Sequence, residues 1–148
     1  MAIVYEKQGQ GEHVFTLHTE HSTYQMKVDG HGYLLHLYYG GKVSGCMDYL
    51  LTYYDRGFSG NPAAAGLDRT YSMDTLPQEY PVLGTGDFRS SALAVCNGDG
   101  SQCCDLKYAG HEVRKGKYGL KGLPAVYAEQ GEAETLEIRL RDRVSGVE

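Results

Sequence analysis

The chain has 148 residues, room for one domain, and at that size folding withdraws roughly 68–70% of the unfolded surface from water. Its net charge is −5, from 14 basic and 19 acidic residues, and the one basic run, "RKGKYGLK" at 114–121, is too short to make nucleic acid the main partner. No stretch approaches the ~20 apolar residues of a membrane-spanning helix, and the start "MAIVYEKQGQ" lacks the charged-then-apolar order of a signal peptide; the expectation is a cytoplasmic protein with no membrane partner.

The four cysteines, Cys46, Cys96, Cys103 and Cys104, form no Cys-x-x-Cys pair, so free thiols are expected rather than a disulfide framework. Adjacent Cys103 and Cys104 would face opposite ways on a strand. Trp is absent, while Tyr occurs 13 times and Gly 20 times, a composition that fits strands broken by turns.

In chain order, apolar residues recur mostly at period two. "HVFTLHT" from His13 sets His13, Phe15 and Leu17 on one face, and "TYQMKV" from Thr23 sets Tyr24, Met26 and Val28 on one face. "DGHG" at 29–32 reads as a turn. "YLLHLYYGGK" from Tyr33 is apolar on both faces, which predicts a strand covered on both sides. "MDYLLTYY" from Met47 fits helix or strand equally. "DFRSSALAV" from Asp87 reads as a strand entering a hairpin turn at "NGDG", 97–100, with "CCDLKYAGHEVRKGKY" continuing as the returning strand. "ETLEIRLRD" from Glu134 alternates most cleanly, with Leu136, Ile138 and Leu140 opposite Thr135, Glu137, Arg139 and Arg141. A turn at Ser145-Gly146 then leads into what reads as a further strand, so the chain is expected to be cut inside a larger domain. The fold class is all-β, a mainly antiparallel β-sandwich or part of one.

Between these strands lies a long polar connection, "YYDRGFSGNPAAAGLDRTYSMDTLPQEYP", from Tyr53 to Pro81. Loops beyond about 12–15 residues usually carry function or are disordered. Asp-Arg followed by a small or polar residue, an aromatic ring and a hydroxyl occurs at Asp55–Ser59 and again at Asp68–Ser72. Two readings fit. In one, Asp55-Arg56 and Asp68-Arg69 hold the loop ends through ion pairs or backbone hydrogen bonds, Phe58 and Tyr71 pin it to the sandwich, and Asn61-Pro62 makes a turn. In the other the loop recognises sugar, a carboxylate accepting hydroxyl hydrogen bonds while a ring covers an apolar C–H face. No nucleophile elbow or phosphate loop is present. The six histidines are scattered and "NGDGSQ" lacks the acids of a calcium loop. Neither metal nor cofactor is expected.

"DYLLTYYDRGFSGNP", "DRTYSMDTLPQEYP", "GTGDFRSSAL" and "GHEVRKGKYGLKGLP" together resemble the N-terminal domain of bacterial α-galactosidases of glycoside hydrolase family 36, in register from "TYQMKV" through "ETLEIRLRD". The resemblance implies that residues 1–148 are an N-terminal β-supersandwich domain truncated on its C-terminal side. A catalytic (β/α)8 barrel and a C-terminal β-domain would lie outside it. It implies a retaining hydrolase of α-galactosides such as melibiose and raffinose, with two catalytic aspartates in the barrel, one in a Lys-Trp-Asp type motif. This chain has no Trp and no such motif, so no catalytic residue is expected in it and the chain alone is expected to be inactive. In tetrameric relatives loops of this domain reach a neighbouring subunit's active site. The matching positions are Asp55, Arg56 and Phe58 as substrate-binding residues in trans, with Asn61, Asp68 and Arg69 shaping the loop. Ala63, Ala64 and Ala65 depart from the larger or acidic residue expected after Asn-Pro. The alternatives are a free-standing carbohydrate-binding β-sandwich and a purely structural assembly module.

Overall fold

A computed structural model of the chain describes residues 2–55, 57, 60–124, 127–129 and 131–148. Six strands form two antiparallel sheets: β1 (Ala2–Gln8), β2 (Glu12–His18), β3 (Ser22–Val28) and β4 (Leu34–Gly41) in that order, and β5 (Lys107–Lys115) paired with β6 (Glu134–Arg141). Among the described residues, helix is confined to short 3-10 turns at Asp48–Leu50 and Ala63–Ala65, and no helix is long and apolar enough to cross a membrane. The all-β, antiparallel class read from the sequence is the observed one.

The first sheet is a meander because each connection is a tight polar turn. Gly9 and Gly11 flank the first at φ +61° and +82°, angles a Cβ disfavours. The "DGHG" turn closes with Asp29 N donating to Tyr33 O (3.0 Å) and Gly32 N to Asp29 O (3.0 Å). β1 escaped the sequence reading for a physical reason: it is an edge strand exposed on nearly every residue, so it shows no buried apolar face to select for.

Three expectations need correction. On β3 the most buried side chains include the polar Thr23 and Gln25 rather than Tyr24 and Met26, which are only half-buried. The segment after β4 folds over them: Gln25 Nε2 donates to Gly45 O (2.9 Å), Met47 N to Gln25 Oε1 (3.0 Å) and Val43 N to Thr23 Oγ1 (3.1 Å), and that satisfaction is what permits their burial. Second, β4 is fully buried only on the Tyr33, Leu35 and Leu37 side; Leu34, His36 and Tyr38 are half-buried. Third, residues 87–96 form no strand, and their one ladder contact is an isolated bridge of Leu93 to Val82. "NGDG" does turn, with Asn97 N donating to Ser101 O (2.8 Å), but no ladder flanks it and the following strand starts at Lys107, not at Cys103. Cys104 is buried and Cys103 exposed, the opposition the sequence implied.

Two apolar clusters sit away from the centre of the sheets. Tyr33, Leu35, Tyr71, Met73 and Leu76 pack together, with Leu51 and Ala65 against them, so the long loop is the lid of the β4 face. Fully burying Leu35, Met73 and Leu76 stabilises by roughly 1.5–3 kcal/mol each, which explains how so polar a connection stays ordered. Val82, Cys104 and Leu106 pack with Leu93, Val95, Leu140 and Val147 beside β6.

The two sheets meet through rings. Tyr5, His13 and Phe15 of the first face Tyr108 and His111 of β5, with the imidazoles of His13 and His111 6.2 Å apart and Phe15 edge-on to His111 at 4.9 Å. Tyr5 Oη lies 2.8 Å from His13 Nδ1. Burial, then His111, then Lys7 lower the His13 pKa below its ordinary 6.5. A histidine depressed in the folded state binds its proton more readily when unfolded, so its contribution is intact above pH 6.5 and is lost as pH falls below it. Thermal unfolding at pH 7.5 and 5.5 should therefore show a larger acid loss in the parent chain than in His13→Phe, which keeps the ring and cannot titrate. Equal losses would refute the coupling.

Candidate functional site

The loop from Tyr53 to Pro81 is built from the base outward. At its base Arg89 crosses back beneath it. Its guanidinium donates to Asp87 (Nε to Oδ1 2.9 Å, Nη2 to Oδ2 2.7 Å) and to the carbonyls of Met73 (2.8 Å) and Leu76 (2.7 Å). Gln78 Nε2 and the Arg89 backbone N–H complete the shell of Asp87 (2.7 and 3.0 Å). Burial pushes the Asp87 carboxyl up, but the Arg89 and Gln78 hydrogen bonds outweigh it and hold the pKa below the usual value. Further out, His36 Nδ1 and the Tyr24 hydroxyl both reach Glu79, at 2.9 Å and 2.6–2.7 Å, tying the departing limb to β3 and β4.

In its middle the loop is clamped through rings. Tyr71 is buried, its hydroxyl donates to Asp29, Tyr53 stacks on it (6.1 Å, 20°), and His31 meets it edge-on (4.5 Å). Asp29 is itself held by the N–H groups of His31 (3.0 Å) and Tyr33 (2.9 Å). Tyr53, Tyr71, His31, Asp29 and Asp68, with Lys27 and Glu12, line an open cleft of about 300 Å³.

Beyond the clamp lies Asp55. Arg69 meets its carboxylate with two nitrogens, Nε to Oδ2 and Nη2 to Oδ1, both at 3.3 Å, and Gly57 N donates to Oδ1 at 2.7 Å. Asp55 and Arg69 are 47% and 66% exposed, so the pair is displayed, not buried. Asp55 is paired with Arg69 across the loop; its sequence neighbour Arg56 lies outside the described residues. Asp68 turns to Thr70, accepting from its N–H (2.9 Å) and hydroxyl (2.6 Å), and these bonds lower its pKa. Asn61 Nδ2 donates to Asp68 O (2.5 Å), closing the tip. Ala63–Ala65 form a 3-10 turn after Pro62, and Ala65 packs on the Tyr71–Met73 cluster. Phe58 also lies outside the described residues. Asp29, Tyr53 and Arg89 were not singled out from the sequence, because Asp29 and Tyr53 act through Tyr71 and Arg89 reaches the Met73 and Leu76 carbonyls, all distant in the chain.

Among the described residues no group of histidines, cysteines or acids is arranged to hold a metal. The arrangement presents a carboxylate and a guanidinium on an ordered, outward-facing loop, groups suited to hydroxyl-rich ligands.

The profile of the glycosyl hydrolase family 36 N-terminal domain matches residues 32–148. The chain is 60% identical over its whole length to a bifunctional alpha-galactosidase/sucrose kinase of Mediterraneibacter gnavus, of which it covers 16%. It is 43% identical, again over its full length, to alpha-galactosidase AgaA of Geobacillus stearothermophilus, covering 20%. It thus spans about one-sixth to one-fifth of these relatives. Among solved structures, the galactosidase domain of AgaSK superposes with a TM-score of 0.90 at 60% identity, over 97% of this chain and 20% of that one. An AgaA variant of Geobacillus stearothermophilus in complex with raffinose gives 0.82 at 44% identity, over 90% and 18%.

Proposed function

The chain belongs to the glycosyl hydrolase family 36 N-terminal domain family, and from that premise we propose that it is the N-terminal β-supersandwich of a cytoplasmic, retaining α-galactosidase acting on raffinose-type sugars. The catalytic barrel and C-terminal β-domain of that enzyme lie outside residues 1–148. The loop from Tyr53 to Pro81 presents Asp55, Arg56 and Phe58 to the sugar in a neighbouring subunit of a homotetramer. What supports this reading most directly is the display of Asp55: its carboxylate is fixed by Arg69 and the Gly57 N–H yet half exposed, an acceptor held ready on a surface rather than spent inside the fold.

The test is Asp55→Ala in the full-length enzyme. Losing a charge-assisted acceptor worth roughly 1.5–3 kcal/mol should lower kcat/KM by about tenfold to a hundredfold, while sedimentation shows the tetramer intact. Unchanged kinetics in an intact tetramer would sink the active-site role. The Asp55–Arg69 pair itself favours a second reading, in which Asp55 only pins the loop. In that case Arg69→Ala reproduces Asp55→Ala in both kinetics and melting temperature, and the double mutant adds nothing further.

A further inference from the structure

The clamp beneath Asp55 has no evident need of its buried polar contact if it merely packs the loop. Tyr71 and Asp29 are each 4% exposed and lie 42 residues apart in sequence. A carboxylate in that position costs desolvation unless its oxygens are filled. They are: one oxygen takes the N–H groups of His31 and Tyr33, the other takes the Tyr71 hydroxyl. Burial, then the neighbouring Asp29 charge, push the Tyr71 phenol well above the ordinary tyrosine range, so Tyr71 is the donor and Asp29 the acceptor. An apolar contact would hold a ring against a surface and let it slide or spin. A directional bond to a carboxylate fixed by two backbone N–H groups sets where the Tyr71 ring lies.

The consequences run outward in both directions from that ring. Tyr53 stacks on it, two residues before Asp55. Arg69, the partner of Asp55, lies two residues before Tyr71. Both halves of the displayed pair are therefore hung, each across a single intervening residue, from the one ring stack that Asp29 orients. His31, from the same turn as Asp29, closes the stack edge-on.

We propose that Asp29 and Tyr71 are positioning residues, a latch in the turn after β3 that aims the Asp55 carboxylate without touching the sugar. The inference rests on the reading of Asp55 given above. Its test uses the full-length enzyme and separates the latch from general stability. Tyr71→Phe keeps the ring and removes the hydroxyl. With Asp55 present it should lower kcat/KM by about tenfold, the scale expected when a binding group is misplaced by a fraction of an ångström to an ångström, mainly through KM. In the Asp55→Ala background the same change should cost nothing further in kcat/KM, although it still lowers the melting temperature. Asp29→Asn retains an acceptor for the two N–H groups and offers an amide N–H to the phenol oxygen, so it should restore most of what Asp29→Ala loses.

Equal kinetic losses in both backgrounds would overturn the latch, because Tyr71 would then act on something other than Asp55. If Asp55→Ala alone leaves kinetics unchanged, the reading of Asp55 fails instead. The latch is then judged by amide hydrogen exchange at Gly57, whose N–H donates to Asp55. Faster exchange in Tyr71→Phe upholds it, and unchanged exchange overturns it.

Discussion

Arg89→Ala should destabilise the chain by about 3 kcal/mol, more than Asp87→Asn at the other end of the same contact. The asymmetry follows from burial. The Asp87 side chain is 1% exposed and that of Arg89 46%. Removing the arginine strands a buried carboxylate with only Gln78 and a backbone N–H, and releases the Met73 and Leu76 carbonyls together. Replacing the carboxylate by an amide leaves a guanidinium that water still reaches and that keeps both carbonyls, at a cost of about 1–2 kcal/mol. Urea unfolding of the two variants reads the difference, and Asp87→Asn proving the worse would contradict the argument. The pH dependence gives a second reading. Asp87 is held below its ordinary 3.8, so its contribution is present above that value and lost as pH falls through the depressed pKa; Asp87→Asn should flatten this acid limb.

That pair also shows where sequence and structure part. Strands β2, β3, β4 and β6 are legible from their period-two alternation, but the alternation does not say which side chains are buried: adjacent Val14 and Phe15 are both buried on β2, and on β3 Thr23 and Gln25 are more buried than Tyr24 and Met26. Residues 87–96 read as a strand as well, yet Arg89 is committed to Asp87 and to carbonyls 13 and 16 residues upstream, and the segment enters no ladder beyond the Leu93–Val82 bridge. The burial of Thr23 and Gln25 is illegible for the same kind of reason: the groups that satisfy them arrive from Val43, Gly45 and Met47. At the site, the loop and Asp55 stand out by length and composition. The pair with Arg69 does not, since Arg69 lies 14 residues from Asp55 and no local pattern links them. Recognition of the family through several motifs in order covered this gap for the fold but carried no information about Asp29 or Tyr53, whereas the expectation that Tyr71 pins the loop matches its burial in the cluster with Tyr33 and Leu35.

The loop tip adds a contact that only glycine permits, and Gly86→Ala should be among the most damaging single substitutions in the chain. Gly86 has φ +88°, and a Cβ there would lie 2.5 Å from the carbonyl oxygen of Gly60 and 3.0 Å from its carbon. The left-handed conformation alone costs an alanine about 1–2 kcal/mol. The clash adds to it, because the obstacle is backbone and relief requires the Gly60 segment to move. Two controls separate the parts. Gly122 has φ +85° with nothing within 4 Å of where a Cβ would stand, and Gly98 has neither constraint. Thermal unfolding should rank the losses Gly86→Ala, then Gly122→Ala, then Gly98→Ala near zero. Because Gly60 follows Asp55 by five residues on the same limb, the movement forced by Gly86→Ala should also reach the displayed pair. In the full-length enzyme it should lower kcat/KM, and Gly122→Ala should not. Comparable losses for Gly86→Ala and Gly122→Ala in stability would show that the two backbones yield to each other, and that the tip is not seated on the Gly84–Asp87 turn as the close approach implies.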